Sequence, residues 1–95
     1  MMKKYLFAWI LGMGFSIANA QDVVIQVGAF ADLSLAKQQA EKVRAMNVPV
    51  RIYALRMKND TRLYRVRTAP IMREKAIPIA NRLRQNKVEV ILVPR

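Results

Sequence analysis

The chain has no cysteine and no histidine. No disulfide can brace it, and the usual thiolate and imidazole ligands for zinc are missing. Catalytic groups are sparse as well. Serine occurs only at Ser16 and Ser34, and the six acids, Asp22, Asp32, Glu41, Asp60, Glu74 and Glu89, are scattered, with no two in the arrangement of a catalytic carboxylate pair. A nucleophile needs a base beside it, and the commonest base is absent. The composition points to a binder rather than an enzyme, with no metal or cofactor. A long hydrophobic run is lacking too: the apolar stretch from Tyr5 to Ile17 is broken by Gly12, Gly14 and Ser16, and falls short of the about 20 residues a membrane-spanning helix needs.

What that stretch does resemble is a signal for export. Lys3 and Lys4 precede it and Ala18-Asn19-Ala20 follows, which is the order of a secretory signal peptide with an A-x-A cleavage site before Gln21. Tandem arginines and a lipid-accepting cysteine are both missing. Residues 1–20 are therefore expected to be a signal peptide and residues 21–95 one small domain outside the cytoplasm, most simply in a bacterial periplasm.

Residues 21–95 carry 15 basic side chains, ten of them arginine, against all six acids, a net +9. Such a charge suits a polyanion, an acidic membrane surface or an acidic polymer. Outside the cytoplasm, anionic lipid and the cell-wall polymer are the partners at hand, and nucleic acid is not expected.

Val23-Val24-Ile25-Gln26-Val27 is rich in β-branched residues and reads as a strand. Asp32 and Ser34 are N-cap candidates for a helix striped by Ala36, Ala40, Val43 and Met46. Val48–Leu55 alternates as a second strand, Lys58–Thr61 is a polar turn, and Arg62–Thr68 alternates again, as in a hairpin. Ala69-Pro70 ends that strand. Ala76, Ile79, Ala80 and Leu83 keep helical phase within about Arg73–Gln85, where Pro78 argues for a late start or an irregular first turn. Val88–Val93 is the last strand. The order is β-α-β-β-α-β, and its two halves repeat in register: Ala36, Ala40 and Val43 answer to Ala76, Ala80 and Leu83. The fold class expected is α+β, a ferredoxin-like or RNP-like sandwich with two helices on one face of a four-stranded antiparallel sheet.

If the helices cover one face, strand alternation predicts the other. Ile25, Val27, Val50, Ile52, Tyr64, Val66, Val90 and Leu92 face the helices. The open face carries Val24, Gln26 and Gly28, then Arg51, Tyr53 and Leu55, then Leu63, Arg65 and Arg67, and lastly Glu89 and Ile91. This mixture of aromatic, apolar, amide and guanidinium groups suits a sugar polymer: apolar area for ring faces, planar groups for hydroxyls and acetamides, and arginine for carboxylates.

Val24-Ile25-Gln26-Val27-Gly28-Ala29-Phe30 resembles the opening V-Q-V-G-A-F signature of the SPOR domain (the sporulation-related repeat), and Leu63 to Ile71 resembles its second signature, L-Y-R-V-R-x-G-P-F, with Ala69 where glycine is usual and Ile71 where an aromatic is usual. The resemblance spans about Val23 to Val93. It implies peptidoglycan binding, with a preference for glycan strands stripped of stem peptides, a link to cell division or wall remodelling, and enrichment at the division septum. It also implies a site on the open sheet face at Gln26, Leu63, Arg65 and Arg67, with Gly28, Ala29 and Phe30 at the strand end. Arg51 and Tyr53 join the candidate glycan-binding residues from the alternation. Two other readings stand beside this one. A protein-interaction module regulating a wall enzyme would use the basic helix flanks. An RNP-like RNA-binding domain shares the fold but stacks bases on strand aromatics, where this chain has Gln26 and arginines.

Overall fold

A computed structural model describes residues 22–95. The expected signal peptide lies outside the described residues. The elements are β1 (Asp22–Phe30), α1 (Leu33–Arg44), β2 (Arg51–Arg56), a short 3-10 turn (Lys58–Asp60), β3 (Arg62–Arg67), β4 (Ile71–Met72), α2 (Arg73–Gln85) and β5 (Ile91–Pro94). Among the described residues, no helix is long and apolar enough to cross a membrane.

All strand pairings are antiparallel. Val23 pairs with Ile71 of β4 and Pro94 of β5, while Gln26 pairs with Arg67 of β3 and Ile91 of β5. Since a residue has one neighbour on each side, β4 lies on the β3 side of β1 and continues that strand past the break at Thr68–Pro70. The sheet thus has four positions, β2, β3 with β4, β1 and β5, as the α+β sandwich requires. The break is sealed from within: the Ile25 N–H donates to Thr68 Oγ1 at 3.0 Å, and the Thr68 N–H donates to the Ile25 carbonyl at 3.0 Å.

The core lies between the sheet and the helices. Val23, Ile25, Val27 and Val66 from the strands meet Ala36, Ala40, Val43, Ala76 and Leu83 from the helices, all buried. Alanines at the helix contact positions leave little side chain between helix and sheet, so the layers approach closely and a small chain still buries a continuous apolar interior.

Asp32 caps α1, its Oδ1 accepting from the Ser34 N–H and Oγ at 2.8 Å each. Ser34 is inside the helix and supports the cap rather than forming it. Both helices end the same way. Asn47 (φ 65°) and Lys87 (φ 63°) take left-handed backbone, and the N–H groups of Val48 and Val88 reach back to the carbonyls of Val43 and Leu83. The internal repeat therefore extends to the helix stops.

Two sequence expectations need correction. α2 begins at Arg73, five residues before Pro78, with no late start. Ala76 is fully buried, so packing of the first turn offsets the hydrogen bond that Pro78 removes. The strands around residues 51 and 91 also begin later than alternation suggests. Val48, Val50, Val88 and Val90 pack on the core, but ladder pairing starts only at Arg51 and Ile91.

Candidate functional site

The face of the sheet away from the helices is built in rows, because residues paired across antiparallel strands point the same way about 5 Å apart. One row crosses the whole sheet: Arg51 of β2, Arg67 of β3, Gln26 of β1 and Ile91 of β5. The next holds Tyr53, Arg65 and Ala29, and Leu55 and Leu63 pair near the hairpin end. Gln26, Arg51, Tyr53, Leu63, Arg65, Arg67 and Ala29 thus share one surface.

Gly28 and Phe30 do not join it. The pairing of β1 with β3 shifts between Gln26 and Gly28, the mark of a β-bulge. After the bulge the alternation changes phase. A Cβ on Gly28 would point toward the helix layer, 2.6 Å from Phe30 Cε2 and 3.7 Å from Gln39 Cγ of α1. Phe30 packs against the core. The open-face position assigned to Gly28 by simple alternation belongs to Ala29, which is exposed and pairs with Arg65. The bulge is pinned from the helix side, where Gln39 Nε2 donates to the Val27 carbonyl at 2.8 Å. Gly28 contributes only its backbone to the open face.

Charge on the face is concentrated and poorly compensated. The only ion pairs among the described residues, Arg56–Asp60 and Arg95–Asp22, lie elsewhere. Arg51 and Arg67 are direct cross-strand neighbours of like sign, which is unfavourable until an anion arrives. Partial burial, followed by the nearby charge of Arg65, pulls the Arg67 pKa below the usual guanidinium value, with Tyr53 opposing. An anion placed beside Arg67 would oppose both effects. Arg67 Nε donates to Gln26 Oε1 at 2.7 Å. Arg65 Nε is buried without a partner among the described residues.

Two hollows flank the Arg67–Gln26 pair, and both occur where ladder pairing is interrupted. The larger, about 480 Å³, lies where Pro49 and Val50 face the break at Ala69-Pro70, and it is also lined by Arg51 and Tyr53. The smaller, about 160 Å³, is lined by Gln26, Gly28, Ala29, Glu89 and Ile91. There the β1 bulge leaves the residues before β5 without a regular partner. Alternation predicts Glu89 and Ile91 on this face, but not the hollow they help to form. Gly28, alone among the described residues in lacking a side chain, is its one sequence clue.

The arrangement offers guanidinium groups for anions, a planar amide, one carboxylate, and aromatic and aliphatic area. No group of three or more metal-ligating side chains is gathered among the described residues.

Comparison with known proteins places this geometry in a family. The SPOR domain family model matches residues 19–94. The SPOR domain of RlpA from Pseudomonas aeruginosa is similar in structure with a TM-score of 0.65 and 30% identity, over 75% of this chain and 96% of that one. The peptidoglycan binding domain of the cell wall lytic enzyme CwlC from B. subtilis has the same fold, with a TM-score of 0.58 and 21% identity over 78% of this chain and 90% of that one. Among curated protein sequences, none matches this chain. With the family's model covering the whole described sandwich up to Pro94, the chain belongs to the SPOR domain family.

Proposed function

We propose that this chain is an exported peptidoglycan-binding module, residues 21–95, released from a signal peptide at residues 1–20. It binds glycan strands on the open face of its sheet, preferring strands denuded of stem peptides, and serves wall remodelling at division in the periplasm. The single observation that carries this reading is the row Arg51, Arg67 and Gln26, with Arg65 and Tyr53 beside it. A denuded strand exposes the lactyl carboxylate of each muramic acid, so it is a polyanion with apolar ring faces. The arginines supply planar donors for those carboxylates, and Tyr53 and Leu63 supply apolar contact. The family and the peptidoglycan-binding structural neighbour support the same ligand class.

Co-sedimentation of the purified protein with sacculi tests this, before and after an amidase strips the stem peptides. Binding should rise after treatment. Binding without a rise removes the preference for denuded strands, and no binding to either preparation removes the reading.

A further inference from the structure

We propose that the small hollow beside β1 is an acetamido subsite, in which Glu89 and the amide of Gln26 read the 2-acetamido group of one sugar while Ile91 and Ala29 seat its methyl. The inference rests on the glycan-binding reading and names the chemistry by which one part of the face would select its sugar.

The orientation of Gln26 is the starting point. Its partner Arg67 Nε can only donate, so the amide oxygen must face β3, as the 2.7 Å contact has it. Gln26 lies between Arg67 on one side and Ile91 on the other. With its oxygen held toward Arg67, the planar amide turns its NH2 group away, toward the hollow that Gln26 helps to line. That wall of the hollow therefore donates. Glu89 is the only acid on the lining, and its carboxylate can only accept when ionised. The remaining lining side chains are apolar, and Ile91 is 51% exposed.

A secondary acetamide is the complement of that set. Its carbonyl accepts from Gln26 Nε2, its N–H donates to Glu89, and its methyl covers Ile91 and Ala29. A 2-hydroxyl can meet Gln26 Nε2 and Glu89 only through one oxygen atom, and it brings no methyl to the apolar seat. The carboxylate also fixes polarity: it repels an anionic substituent from this end of the row, leaving such groups to Arg51, Arg65 and Arg67. The volume of about 160 Å³ holds one such substituent with part of its ring, and not a second sugar.

Two uncharged β-1,4 hexasaccharides, of N-acetylglucosamine and of glucose, differ only at C2 and serve as probes. Titration of the 15N-labelled protein followed by NMR should show the acetylated hexamer shifting Ala29, Ile91 and the Gln26 side-chain amide, and binding at least about tenfold more tightly than the glucose hexamer, the worth of a charge-assisted hydrogen bond. Glu89→Ala and Ile91→Ser should each abolish most of that difference, with spectra otherwise native. Equal binding of the two hexamers, absence of binding by both, or retention of the preference in Glu89→Ala overturns the subsite. Sacculus binding in parallel separates the causes: if it persists, only the subsite fails, and if it is lost too, the wall-glycan reading fails with it.

Discussion

Ile25 and Thr68 exchange two hydrogen bonds across the sheet, but one of them uses a side chain. The Ile25 N–H donates to the Thr68 hydroxyl, and the Thr68 N–H donates to the Ile25 carbonyl, each at 3.0 Å. Thr68 is 3% exposed and also donates its hydroxyl to the Ala69 carbonyl at 2.8 Å. A side chain thus stands in for ladder pairing where Ala69-Pro70 breaks the strand. Thr68→Val keeps the shape but leaves the Ile25 N–H buried and unpaired, which should cost about 1–3 kcal/mol in urea unfolding. Thr68→Ser should recover most of that loss. Equal stability of the valine variant and the parent would show the hydroxyl to be dispensable.

Gly28 is expected to resist enlargement for a steric reason. Its new Cβ would meet Phe30 Cε2 at 2.6 Å and Cζ at 2.8 Å. Gly28→Ala should destabilise by about 1–3 kcal/mol, because the ring is packed on the core and cannot swing freely. In the double variant Gly28→Ala with Phe30→Leu, the two costs should fall short of additive, since trimming the ring relieves the same overlap. Strict additivity in denaturation midpoints would contradict the contact.

Lys87 occupies left-handed backbone at the end of α2, where a side chain is strained. Lys87→Gly should stabilise the fold by about 1 kcal/mol, read as a higher melting temperature. Asn47→Gly, at the matching stop of α1, should gain less because asparagine tolerates this conformation well. A larger gain at Asn47 than at Lys87 would reverse the prediction.

Asp32 sets a weak acid dependence. Hydrogen bonds from the Ser34 hydroxyl and N–H hold its carboxyl below the ordinary value, against a smaller opposing effect of desolvation. A carboxyl depressed in the folded state contributes stability that is present above the unfolded value and is lost as pH falls through the folded one. Far-ultraviolet circular dichroism of the parent should therefore show α1 weakening as pH drops below about 4. Asp32→Ala should remove that part of the pH dependence and leave the rest of the acid limb intact.

The charged half of the open face predicts a salt dependence. Exposed pairs are screened over about 10 Å at 0.1 M salt, so sacculus binding should weaken as salt rises. Replacing Arg51, Arg65 and Arg67 together by glutamine should flatten that slope. Binding by the parent that is unchanged in high salt would count against carboxylate pairing by these arginines.

Most of this fold is legible in the sequence because its signals are local. The apolar stripe of Ala36, Ala40 and Val43, its copy at Ala76, Ala80 and Leu83, and the alternation through Leu63, Tyr64, Arg65, Val66 and Arg67 each follow from the geometry of a single element. Features that need a second strand are not legible. Alternation carries through Gln26, Val27 and Gly28 without a mark, because a bulge exists only relative to β3. Val48–Val50 and Val88–Val90 alternate and bury their valines, yet pairing there is lost to interruptions elsewhere in the chain, at Ala69-Pro70 and at the bulge. The candidate site divides the same way. The side chains of the face are predictable, whereas the hollows are products of missing pairs.

Gln26 is the one residue of β1 paired to both β3 and β5. Toward the start of β1 the neighbours are β4 and β5; beyond the bulge the neighbour is β3. The β3 and β5 wings of the sheet therefore overlap along β1 at this residue, and its side chain is the amide turned to the open face. A strand of sugar lying along the row from Arg51 to Ile91 would bridge the wings on the outside, as a splint does, so that the curvature of the sheet and the spacing of the ligand's substituents would have to agree at Gln26 first.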